Sequence, residues 1–118
     1  MSTNSRIGMV QEDGSVKSIY CHWDGYVSHN GKILKENYTD PEKVKSLIEL
    51  GSISYLRPEV EPTENHTFDS PQKGITLAYH RDRSEELCIE KDPTVSSFLK
   101  RDEPFLYLFT LEGEWEFK

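Results

Sequence analysis

Cysteine is scarce in this 118-residue chain, which holds only Cys21 and Cys88. Both sit in strand-like apolar runs far apart in sequence, so they are expected to be small buried hydrophobes rather than a disulfide framework. Metal motifs are missing too. There is no CxxC, HExxH or EF-hand loop, and the histidines are scattered at 22, 29, 66 and 80, so no metal is expected. The stretch DGYVSHNGK lacks both the P-loop spacing and the dinucleotide fingerprint, which removes the common phosphate cradles and leaves no cofactor implied. No apolar run approaches the length of a membrane span, and MSTNSRIGMV does not read as a secretory leader; a cytoplasmic protein without membrane association is expected. Positive charge is in deficit, with 14 Lys and Arg against 21 Asp and Glu and a net charge of −7. General nucleic-acid binding rests on cations that neutralise phosphates, so that class is excluded, whereas a basic protein partner is not.

Aromatic residues are plentiful, with five Phe, six Tyr and two Trp, and a core built on rings is expected of a single domain spanning 1–118. RIGMVQEDGSVKSIYCHWDGY reads as a hairpin turning at EDG, where Gly14 is free to take positive φ. Alternation puts Ile19, Cys21 and Trp23 on one face, with Trp23 as a core anchor, and Tyr20, His22 and Asp24 on the other. HNGKILKENY has a helical stripe of Ile33, Leu34 and Tyr38. TDPEKVKSLIELG is a capped helix: Asp40 as N-cap, Pro41 in the first position, Gly51 as the stop, and Val44, Leu47 and Ile48 facing inward. SISYL is a short strand or connector, and residues 58–73, with three prolines, form a long loop.

GITLAYHRDRSEELCIEK reads as a second hairpin turning at DRSE, and DPTVSSFLKRD as a short helix capped by Asp92. PFLYLFTLEGEWEFK reads as a third hairpin turning at Glu112 and Gly113, with Phe105, Tyr107, Phe109 and Leu111 lining one face. The expected fold is therefore α+β: an antiparallel sheet of about 5–6 strands, made of three hairpins, with two or three helices packed on it.

Two polar clusters stand out. Tyr20, His22, Asp24 and Tyr26, with His29 behind them, form one; His80, Arg81, Asp82 and Arg83 form the other. If the hairpins adjoin in one sheet, His22 and His80 share a face, and a histidine near a carboxylate with an arginine at hand suits an anionic ligand or acid-base work. No spacing identifies a nucleophile, so no catalytic residue is assigned. The ligand-binding candidates are Tyr20, His22, Asp24, Tyr26, His80, Arg81 and Arg83, with Tyr20 or Tyr26 as a stacking wall.

The blocks SRIG, DGSVKSIYCHWDGY, ENYTDPEKVKSLIELGSIS, AYHRDR and YLFTLEGEWEF together resemble a group of small uncharacterised proteins encoded by bacteriophages and prophages. In that group the second block typically continues YCHWDGYP; Val27 stands here in place of the proline. The resemblance implies a mobile-element origin and life in a host cytoplasm, and supplies no mechanism. Three functions stay open. The first is a non-enzymatic accessory protein that binds and modulates or inhibits a host protein, such as a defence or nucleic-acid-handling protein. The second is a small-ligand or nucleotide-binding protein, or modest hydrolase, using the two polar clusters. The third is a homo-oligomer joined through a strand edge or the aromatic final hairpin.

Overall fold

The computed structural model describes residues 3–118. Strands β1 (Ser5–Val10) and β2 (Val16–Cys21) form the expected hairpin, with Gly14 at φ 87° in the turn and Val10 opposite Val16. Ile7, Ile19 and Cys21 project from one face into a buried cluster with Leu34, Tyr38, Val44 and Leu47. Those last four come from α1 (Lys32–Asn37), the residue that ends it, and α2 (Pro41–Glu49). Helix α2 starts where its sequence says it should, because the Asp40 side chain accepts the Glu42 N–H, and it stops before Gly51, which adopts φ 75°.

The sheet is mixed rather than antiparallel throughout. It also contains β3 (Ile53–Tyr55), β4 (Leu77–Ala78), β5 (Glu90–Asp92), β6 (Phe105–Phe109) and β7 (Trp115–Phe117), in the order β4-β3-β2-β1-β6-β7 with β5 also on β2. Pairs β1–β6 and β2–β3 are parallel. A tight turn dictates direction only for the two strands it joins. Strand β5 lies antiparallel to β2, so it runs the same way as β1, and the chain then crosses the sheet through α4 (Val95–Leu99) to reach β6 in that same direction.

That crossing covers the second face. Phe98 of α4 is fully buried among Val10, Val16, Leu106 and Leu108. It fits because position 8 is glycine: a Cβ there would lie 2.8 Å from Val16 Cγ1 and 2.9 Å from the Phe98 ring. Arg6 is buried on this face, its side chain 6% exposed, with Nε on Glu103 (2.9 Å), Nη2 on Glu90 (3.0 Å) and Nη1 on Ser18 Oγ (3.0 Å). Arg101 continues the chain of charges, bonding Glu90 and Asp92.

Several expectations are corrected here. Residues 74–91 do not form a hairpin: β4 is followed by α3 (Tyr79–Arg83), and β5 pairs with β2. The cause is Asp82, whose carboxylate accepts the Ala78 N–H at 2.8 Å and so curls the chain just past β4. Among the described residues the α-helices, α1 to α4, number four rather than two or three. Thr94, not Asp92, caps α4 by accepting the Ser97 N–H, because the Asp92 carboxylate is held by Arg101 at 2.7 Å. Trp23 and Leu111 lie beyond the ends of β2 and β6 and are exposed, as is Cys88. No helix of the described residues is long and apolar enough to cross a membrane.

Candidate functional site

The block YCHWDGY spans the exit from β2. Backbone pairing continues two residues past the strand, His22 N–H bonding Ile53 O at 3.1 Å and Trp23 N–H bonding Ser54 O at 2.9 Å. Asp24 then takes φ 58°, a left-handed conformation that Asp tolerates better than most residues. Gly25 packs directly on backbone. Its N–H bonds Thr3 O at 2.8 Å, its carbonyl accepts the Tyr107 hydroxyl, and an added Cβ would lie 2.7 Å from Asn4 O.

A single π-helical turn, Val27–Gly31, follows. Inside it the buried Asn30 ties the loop together, donating from Nδ2 toward Ser5 Oγ, Cys21 Sγ and Trp23 O at 3.3–3.4 Å and from its N–H to Tyr26 O at 3.0 Å. Burial pushes the Cys21 thiol up to about 11, so at neutral pH it is a small apolar group and no nucleophile. The outcome is a pinned backbone under Trp23, Tyr26 and Val27, which are 44%, 40% and 44% exposed.

The first predicted cluster separates into two groups. On the sheet face, the Tyr20 hydroxyl donates to Asn4 Oδ1 at 3.0 Å and accepts from His22 Nδ1 at 2.8 Å. On the loop, Tyr26 donates to Asp24 Oδ1 at 3.3 Å, and His29 points Nε2 toward Asp24 Oδ2 at 3.9 Å. The Asn30 amide group is committed as a donor, so its Oδ1 accepts and His29 Nδ1 carries the proton of that 3.1 Å bond. His22 and Asp24, adjacent in the strand pattern, share no bond, because the left-handed turn at Asp24 carries the chain away from the sheet.

The second cluster is occupied largely by its own neighbours. His80 Nδ1 donates to Glu85 O at 2.7 Å. Arg81 bonds Val60 O at 2.7 Å, Thr76 O at 2.8 Å and Asp82 at 2.9 Å, which makes it a tie between α3 and the 58–76 stretch. Arg83 pairs with Glu85, and its guanidinium lies 4.3 Å over the Phe68 ring and 5.1 Å over Tyr79. Among the described residues no hydrogen bond, ion pair or ring contact joins Tyr20, His22, Asp24 or Tyr26 to His80, Arg81 or Arg83. Burial raises the Tyr20 pKa, and the neighbouring Tyr79, outside both clusters, adds to it. Tyr20 borders an open hollow of about 490 Å³ with Asn4, Arg101 and Glu103.

His66 carries no motif in the sequence, yet it forms a nearly enclosed pair. Its side chain is 1% exposed and that of Asp82 3%, with Nε2 3.2 Å from Asp82 Oδ2, while Nδ1 accepts the Gln72 N–H at 2.8 Å. An imidazole beside a carboxylate resembles a catalytic base with its orienting acid. Here both ring nitrogens are engaged, so the pair clasps the long loop onto α3 instead of moving protons.

Burial opposes the Asp82 charge, but Arg81, the Ala78 N–H and His66 outweigh it and hold the carboxyl below the usual carboxylate range. The stabilisation is complete above the unfolded-state value of about 4 and is lost as pH falls through the lower folded value. Asp82→Asn is expected to lose about 2 kcal/mol at neutral pH and to speed hydrogen exchange at the Ala78 and Gln72 amides. Unchanged exchange there would refute the clasp.

Comparison of the chain with protein families, curated proteins and solved structures finds no match.

Proposed function

We propose that this chain is a non-enzymatic binding protein, of the phage accessory type its sequence resembles, that docks on a host protein and modulates it through the loop from His22 to Val27. One observation carries the reading: the loop's backbone is anchored to Thr3, Ser54, Asn30 and Tyr107 while Trp23, Tyr26 and Val27 face outward. Exposed rings on a rigid support lose little entropy on binding and bury a large area, which is how interface anchors work. Asp24 among them, on a chain of net charge −7, suits a target with a basic surface, such as a nucleic-acid-handling or defence protein.

The test is a Trp23→Ala, Tyr26→Ala double variant. The expected result is that a host partner retained by the parent chain is lost, and that the purified partner binds the variant at least about tenfold more weakly. The melting temperature should stay within about 3 °C, since neither ring is in the core. Undiminished binding by the double variant would sink the proposal.

A second reading, an anionic ligand, draws on Arg83, which is half exposed and stacked on Phe68 and Tyr79. Glu85 already holds that guanidinium, so a ligand has to displace a carboxylate.

A further inference from the structure

Strand β7 ends one side of the sheet, and its bonding pattern fixes what it presents there. Leu106 and Lys118 exchange both backbone bonds, at 3.0 and 2.9 Å, and Thr110 N–H bonds Glu114 O at 2.9 Å. Bonded positions alternate along an antiparallel pair. Trp115 and Phe117 therefore turn their N–H and C=O groups away from β6, toward a side where the described residues place no strand.

The two faces of this edge differ in chemistry. On one, the Trp115 indole donates to Tyr38 O at 2.8 Å and Phe117 packs edge-on against Tyr107 at 5.0 Å. Beside Phe117, Val27, Gly31, Lys32, Lys35 and Glu36 border an open hollow of about 370 Å³, with Lys35 Nζ 5.8 Å from the centre of the Phe117 ring. Glu114 and Glu116 alternate with the rings and are exposed. On that acidic face, Glu112 and Glu116 border a second hollow of about 230 Å³ with Val10, Val95 and Leu108.

We propose that this edge accepts one more strand, an extended segment of a protein partner in which apolar and basic residues alternate. The inference rests on the reading of the chain as a protein-binding module and supplies the chemistry of what it binds. The added backbone bonds Trp115 and Phe117, one apolar side chain enters the hollow at Val27 and Phe117, and Lys or Arg side chains oppose Glu114 and Glu116. A second copy of this chain fits less well in the registers centred on Glu116 or Trp115. Antiparallel pairing of two β7 strands centred on Glu116 sets Glu116 against itself, and pairing centred on Trp115 sets Glu114 against Glu116.

The experiment titrates the isotope-labelled full chain with two synthetic octapeptides, one alternating Val and Lys, the other Val and Glu. The expected result is shifted and exchange-protected amides at Trp115 and Phe117 with the Val-Lys peptide alone, and affinity about tenfold weaker in a Glu114→Lys, Glu116→Lys variant of unchanged melting temperature. Silence at both amides, equal response to the two peptides, or protection of those amides by dimerisation of the free protein would overturn it. If Val-Lys fails while Trp23 and Tyr26 still govern capture of a host protein, the edge proposal falls and the binding-protein reading stands. Val-Lys bound by a chain that retains no host partner has the reverse meaning.

Discussion

Arg6→Met is expected to cost about 3 kcal/mol of folding stability. Each of the three guanidinium nitrogens has a partner, Glu103, Glu90 and Ser18, and the side chain lies almost entirely out of solvent. Methionine fills much of the volume but leaves Glu103, itself mostly covered, without its cation, and removes a partner of the buried Ser18 hydroxyl. Glu90 is less affected because Arg101 still reaches it. Arg6→Lys should fall between the two, since one ammonium cannot reproduce a fork that meets two carboxylates and a hydroxyl. Denaturant titration at neutral pH measures all three chains. A loss below about 1 kcal/mol for methionine would mean that desolvation cancels the pairing.

Gly25→Ala should be as damaging for a different reason, at about 3 kcal/mol. The added methyl meets the carbonyl oxygens of Asn4 and Thr3 at 2.7 and 2.8 Å, and these are backbone atoms just before a central strand, with no rotamer to change. Relief must come from the loop, which would shift Trp23 and Tyr26 and surrender the Tyr107 bond. Stability and partner affinity should therefore fall together. Gly14→Ala is the control: its Cβ meets nothing within 4 Å, so only the positive φ of 87° opposes it, at about 1 kcal/mol. If Gly25→Ala is no worse than Gly14→Ala, the loop is not pinned as described.

The sequence makes the first hairpin, helix α2 and the closing hairpin readable, because each is specified by neighbours: a glycine turn, an Asp40 cap, an alternation of Tyr107 and Phe109. What alternation cannot say is which strand lies beside which. The β1–β6 pairing follows from the path through α4 and the β2–β3 pairing from the path through α1 and α2, and no local pattern encodes them. The candidate site was legible as a place but not as an arrangement. Trp23 obeys the strand's alternation on paper, yet the strand ends at Cys21 and Asp24 turns left-handed, so the expected core anchor becomes the most prominent surface ring. Arg81 was a candidate ligand group, and tertiary structure uses it to hold Val60 and Thr76. His66 and Arg6 gave no signal, since their partners lie across a loop or across most of the chain.

The parallel contact between β1 and β6, with Ser5 opposite Phe105, also governs how the molecule is made. A nascent chain emerging at about 5–20 residues per second can close the first hairpin early. It must then carry β1 with one open edge for several seconds, until the strand that covers it has been synthesised. During that interval Arg6 lacks Glu103 and Gly8 has no Phe98 above it. The late, non-local docking of β6 is thus the step that commits the chain, and the same open edge is a template on which two unfinished copies can pair.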